Sequence, residues 1–155
     1  MNLASLLTVE QIVAEMHATE RWPAITELVD HLEKQGLVSH EDREAILDAL
    51  HQREDQTSTG IGSGVAIPHA FSNKLENVVA VFGRSQEGID FEAIDNAPVR
   101  FIVLFMVPEA QYHTHLRTLA AIAKTLTNAQ IRERLGEAKD GAEILKILSA
   151  KAARA

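Results

Sequence analysis

No cysteine occurs among the 155 residues. Disulfides, thiolate zinc sites and a cysteine nucleophile are therefore excluded, in keeping with a reducing, cytoplasmic setting. Long apolar runs are missing too. The longest, Phe101 to Val107, falls far short of the roughly 20 residues a helix needs to cross a bilayer. The opening MNLASLLTVEQIV has neither the basic segment nor the apolar core of a secretory leader, so membrane insertion is not expected. Basic charge is scarce and scattered: 15 Lys and Arg against 22 Asp and Glu give a net charge of -7. Nucleic acid is an unsuitable partner for such a surface, and a basic protein is a suitable one.

What remains is ordinary globular composition, 46% hydrophobic and 24% charged, in a chain long enough to bury one core. A single domain over residues 1–155 is expected. Thr8 and Gln11 have capping-box spacing, and Val9, Ile12, Val13 and Met16 recur as on a short amphipathic helix. Trp22, Ile25, Leu28, Val29 and Leu32 predict a second helix, stopped at Gly36. Ala45, Ile46, Ala49 and Leu50 predict a third, starting near Ser39 and dissolving into the polar stretch from Arg53 to Thr59.

Three strands are predicted at Val65 to Pro68, Val78 to Gly83 and Arg100 to Val107, the last apolar on both faces and therefore central. Turn residues at 88–91 and 95–98 join the second to the third. Leu116, Leu119, Ala120, Ala123 and Leu126 then mark a helix, followed by a segment capped at Asn128 and an apolar pattern of Ile144, Leu145, Ile147 and Leu148. Helices before and after a few strands predict an α/β domain, one mixed sheet of about five strands covered by helices.

The segment GIGSGVAIPHA, Gly60 to Ala70, carries the chemistry. Pro68 fixes the backbone before His69, and the apolar run before it reads as a strand that aims the imidazole. Gly60, Gly62 and Gly64 permit backbone N–H groups to approach an anion, but no Walker pattern is formed. A metal alternative uses His113-x-His115 with His69, depending on where the helix starts. A serine hydrolase lacks its G-x-S-x-G elbow, and His17, His31, His40 and His51 read as surface residues on helices or caps.

Taken together, Arg53-Glu54, Ser58-Thr59-Gly60-Ile61-Gly62 and Val65-Ala66-Ile67-Pro68-His69 resemble the active-site signature of the enzyme IIA family of the bacterial phosphotransferase system, in its fructose, mannitol and nitrogen-regulatory branch. The resemblance runs on through Leu6-Leu7, Glu87-Gly88-Ile89-Asp90-Phe91, Asp95-Asn96-Ala97-Pro98-Val99 and His115-Leu116 with Leu119-Ala120. It implies that His69 accepts a phosphoryl group from the phosphohistidine of HPr or its nitrogen-branch counterpart. Arg53 and His115 match the family's arginine and second histidine and would stabilise phosphoryl oxygens, without metal or other cofactor. Ser58, Thr59 and Gly62 are candidate phosphate contacts.

The nitrogen branch usually follows Pro-His with glycine and a basic residue, where this chain has Ala70-Phe71. Phe71, with Ile61 and Val65, is expected to give the site an apolar rim on which HPr docks. The resemblance allows two outputs. In one, phosphorylation regulates partner proteins, as in stand-alone nitrogen-regulatory relatives. In the other, phosphate passes to a separate permease B domain for sugar uptake. Self-association as a homodimer stays open.

Overall fold

The computed structural model describes residues 3–56 and 58–154. Among the described residues six strands form one mixed sheet in which β6 (Val99–Pro108) is central. On one side β6 pairs antiparallel with β5 (Val79–Ile89), which pairs parallel with β1 (Ile12–Val13). On the other side two short strands follow each other along the same edge of β6. β3 (Val65–Ala66) lies against Phe101 and Ile102, and β4 (His69–Ser72) lies against Phe105 through Pro108, both parallel. β2 (Gly60–Gly62) pairs antiparallel with β3 and ends the sheet.

Alternation along β6 builds two cores, because successive side chains of a strand point to opposite faces. Ile102, Leu104 and Met106 pack under α1 (Arg21–Lys34) and α2 (Arg43–Gln56). Phe101, Val103, Phe105 and Val107 pack under α3 (Tyr112–Leu126), α4 (Ala129–Glu137) and α5 (Gly141–Arg154). The expected layered α/β architecture is thus present, with six strands in place of about five. Gly36 ends the helix before it with φ +77°, and Asn128 caps α4 through its bond from Ile131 N at 3.1 Å, both as their sequence positions predict.

The helix expected from Thr8 to Met16 does not form. Gln11 closes only a 3-10 turn, Val9–Gln11, by accepting from Thr8 N at 2.9 Å. Its amide nitrogen donates to Leu6 O at 3.1 Å and to Ala80 O at 2.9 Å, which delivers Ile12 and Val13 to the sheet edge opposite Phe82 and Gly83. Tertiary pairing overrides the helical spacing. Two helix faces also shift. Leu47 is buried where Ala45 is exposed, and Ile122 is buried where Leu116 and Ala120 are exposed.

Arg84 is buried in β5 and cross-links three segments. Its Nε donates to Ala14 O at 3.0 Å, and its Nη1 to Leu135 O at 2.9 Å and Ala138 O at 2.6 Å at the C-terminal end of α4. A cation suits the negative end of a helix, and removing it would strand these carbonyls in a buried setting. Replacing Arg84 by methionine is expected to lower the unfolding free energy by about 3 kcal/mol. Urea denaturation at neutral pH checks this, and a loss below about 1 kcal/mol would contradict it.

Candidate active site

Pro68 explains how a histidine is aimed from this sheet. Its ring has no N–H for the ladder, so β3 stops at Ala66 and the chain resumes pairing at His69, while the Pro68 carbonyl still accepts from Phe105 N at 3.0 Å. His69 thereby opens β4 at the edge of a cleft of about 370 Å³. The cleft is walled by Arg53 and Gln56 from the last turn of α2, Phe71 of β4, Phe105 and Val107 of β6, and His115, Leu116 and Leu119 of α3.

The sequence places Arg53 and Glu54 side by side, and the helix turns them apart. Arg53 lines the cleft, whereas the Glu54 side chain is fully buried. There it accepts Thr59 N at 3.1 Å and the Thr59 hydroxyl, with Arg21 Nη1 at 3.8 Å. Burial raises the Glu54 carboxyl above its ordinary value, opposed by the Thr59 hydrogen bonds and the charges of Arg21 and Arg53. This knot fixes how the chain leaves α2, and so where the residue before Glu54 points.

His69 is half-buried. Its Nδ1–H donates to Ile67 O at 2.7 Å, which leaves Nε2 with the lone pair. Burial holds its pKa below the ordinary imidazole value, the Ile67 bond works against that, and the Arg53 charge adds to it. The ring is therefore neutral and nucleophilic at neutral pH. His115, 4% exposed, is lowered by burial as well, and its ring meets Phe105 edge-on with centroids 5.8 Å apart. Its Nε2 lies 3.1 Å from Gln111 Oε1.

These histidines set a pH dependence of stability. A buried neutral imidazole binds fewer protons folded than unfolded between its depressed pKa and its ordinary one. Its contribution is therefore full above about pH 6.5 and is lost as pH falls through that window. The urea midpoint is expected to drop between about pH 7.5 and pH 5.5, and to drop less in His115→Gln. A slope unchanged by that replacement would contradict the assignment.

Arg53, His69, His115 and Phe71 are thus brought together as the sequence suggests. Ser58, Thr59 and Gly62 are not among the residues that wall the cleft. The Ser58 hydroxyl donates to Phe91 O at 3.2 Å and accepts Gly60 N at 3.0 Å, and Thr59 is buried on Glu54. Gly62, at φ +94°, faces the Asp95 carboxylate, which also accepts Ser63 N at 3.0 Å, so an anion would be repelled there. In this structure these residues shape the loop and stand outside the lining of the cleft at His69. Val65 belongs to the core, and Ile61 sits on edge strand β2, so the apolar rim is made instead by Phe71, 38% exposed, and Leu116, 45% exposed.

Sequence reasoning missed Gln56, Phe105 and Gln111. Only their positions could have found them: Gln56 stands three residues after Arg53 at the end of α2, Phe105 lies opposite His69 in the ladder, and Gln111 stands four residues before His115. The metal alternative fails on geometry, since α3 starts at Tyr112, His113 is exposed and His115 is buried. Among the described residues no group of three or more His, Asp or Glu converges as a metal site.

Comparison with known proteins places this geometry in a family. Residues 5–151 match the family described as "Phosphoenolpyruvate-dependent sugar phosphotransferase system, EIIA 2". The chain is 34% identical over 148 residues to the fructose-specific EIIA component of Haloferax volcanii, covering 96% of this chain and 95% of that one. It is 36% identical over 149 residues to the fructose-specific EIIABC component of Bacillus subtilis, covering 96% of this chain and only 23% of that longer protein. The crystal structure of nitrogen regulatory protein IIA-Ntr from Neisseria meningitidis superposes with a TM-score of 0.84 at 32% identity, covering 94% of this chain and 98% of that one. The chain belongs to the EIIA-2 family of the phosphoenolpyruvate-dependent sugar phosphotransferase system, whose members are histidine phosphocarriers.

Proposed function

We propose that His69 is the phosphorylated residue and that its Nε2 is the attacking atom. The observation that carries this reading is the Ile67 carbonyl on Nδ1, which leaves Nε2 as the ring's only lone pair, in a cleft that also holds Arg53 and His115. The Nε2 lone pair attacks the phosphorus of a donor phosphohistidine in line with its P–N bond. That bond breaks, and the donor imidazole leaves with the electron pair. The Ile67 carbonyl stabilises the positive charge the His69 ring gains as the new bond forms, and Arg53 meets the equatorial oxygens with its planar fork.

HPr, or its nitrogen-branch counterpart, is the donor, docking on the apolar rim of Phe71 and Leu116 around the polar centre. The acidic balance of the chain suits a basic-faced partner in a short-lived complex. This exchange takes place on the cytoplasmic side; none of the described helices is long and apolar enough to cross a membrane. We assign the phosphorylated state chiefly to regulation of partner proteins. Relay to a separate permease B domain is the second reading, favoured by the similarity to fructose-specific components.

The test is incubation with phosphoenolpyruvate, enzyme I and HPr of either branch, followed by intact-mass measurement. One acid-labile phosphoryl adduct is expected, and no adduct from either donor would contradict the reading. Rapid loss of phosphate to a B domain would then favour relay, and a persistent adduct that alters partner binding would favour regulation.

A further inference from the structure

Any role for His115 in transfer rests on His69 being the phosphocarrier residue. Gln111 ends the 3-10 turn Glu109–Gln111, four residues before His115, and its Oε1 is 3.1 Å from His115 Nε2. An amide oxygen accepts and cannot donate, so the bond is satisfied only when Nε2 carries hydrogen. Nδ1 of the neutral ring then holds the lone pair, and it is buried without a hydrogen-bond partner among the described residues.

The surroundings oppose a proton there in the resting protein. Across the cleft stand Arg53 of α2 and His69 of β4, β6 contributes apolar Phe105 and Val107, and no carboxylate is among the lining residues. His115 also lies in the first turns of α3, at the positive end of the helix. A phosphoryl group on His69 reverses this balance by bringing about two negative charges into the same cleft.

We propose that Gln111 is a positioning residue for phosphoryl transfer: it fixes His115 in the Nε2–H tautomer, so that Nδ1 is the nitrogen that takes up a proton when His69 becomes phosphorylated. The step is one protonation. The Nδ1 lone pair binds a proton from solvent, the ring passes from neutral to singly positive, and no bond to phosphorus changes.

Long-range 15N–1H NMR of the full-length, histidine-labelled protein tests this directly. In the resting protein at about pH 7.5, where a free imidazole is neutral, His115 is expected as the Nε2–H tautomer, and after phosphorylation by HPr as the doubly protonated ring. Gln111→Leu should shift the resting ring toward Nδ1–H and slow transfer from phosphorylated HPr about tenfold. Gln111→Glu, which keeps an acceptor and adds charge, should retain the tautomer and move the His115 titration upward. An Nδ1–H tautomer in the resting protein, an unchanged tautomer in Gln111→Leu, or a neutral His115 after phosphorylation would overturn the proposal. The resting tautomer is read with no donor present, so it stands or falls separately from the phosphocarrier reading. A His69 that never becomes phosphorylated overturns the role in transfer whatever the tautomer.

Discussion

Replacing His69 by alanine is expected to abolish the phosphoryl adduct while leaving the fold intact. The side chain is only half-buried at the mouth of a cleft, so its removal opens no core cavity. Among the described residues no second imidazole is placed to substitute for it. His115 is buried, its Nε2 faces Gln111, and it lies against Phe105; the exposed His17, His40 and His113 and the partly buried His31 and His51 are not among the residues that line the cleft. Intact mass after treatment with phosphoenolpyruvate, enzyme I and HPr should show the adduct in the native protein and none in His69→Ala, with circular dichroism and thermal midpoint alike in both. An adduct at full yield in the mutant would move the chemistry to another residue.

Arg53→Ala should slow single-turnover transfer from phosphorylated HPr by about 10²–10³, the usual cost of removing one donor aimed at developing charge. Binding of unphosphorylated HPr should change far less, because in the proposed mechanism Arg53 acts on the phosphoryl oxygens and HPr docks on the exposed Phe71 and Leu116. Arg53→Lys is expected to fall between, since an ammonium keeps the charge and loses the planar fork. A rate within about twofold of the native one in Arg53→Ala would remove the guanidinium from the transition state. The same replacement serves as an internal control on Glu54, whose knot with Thr59 should keep α2 ending where it does.

Much of the architecture can be read from period and punctuation. β6 is legible as a central strand because it is apolar at every position that the two cores require, and α1 because its stripe is long and ends at a glycine. β1, β2 and β4 are not legible. Each has two to four residues and exists through its partner strand, information that no local window contains. The same limit governs the site. His69 stands out through Pro68 and the glycine segment, and Arg53 and His115 stand out only through the resemblance to the enzyme IIA signature. Arg84 and Gln111 act through carbonyls and a ring that only the fold brings near. The glycines have a local structural reason of their own. Gly60 is required by the close approach of Ala93, whose Cβ would lie 2.7 Å from an added methyl, and Gly62 by its turn beside Asp95, neither of which the spacing of the glycines reveals.

The hydrogen bond from Nδ1 to the Ile67 carbonyl is expected to make Nε2 of His69 the phosphorylated atom. The direct measurement is 31P and 15N NMR of the protein labelled in its histidines and phosphorylated by HPr at alkaline pH. Phosphorus coupled to Nε2 of His69, with Nδ1 still protonated, is the predicted result. Phosphorus on Nδ1, or on any residue other than His69, would contradict it.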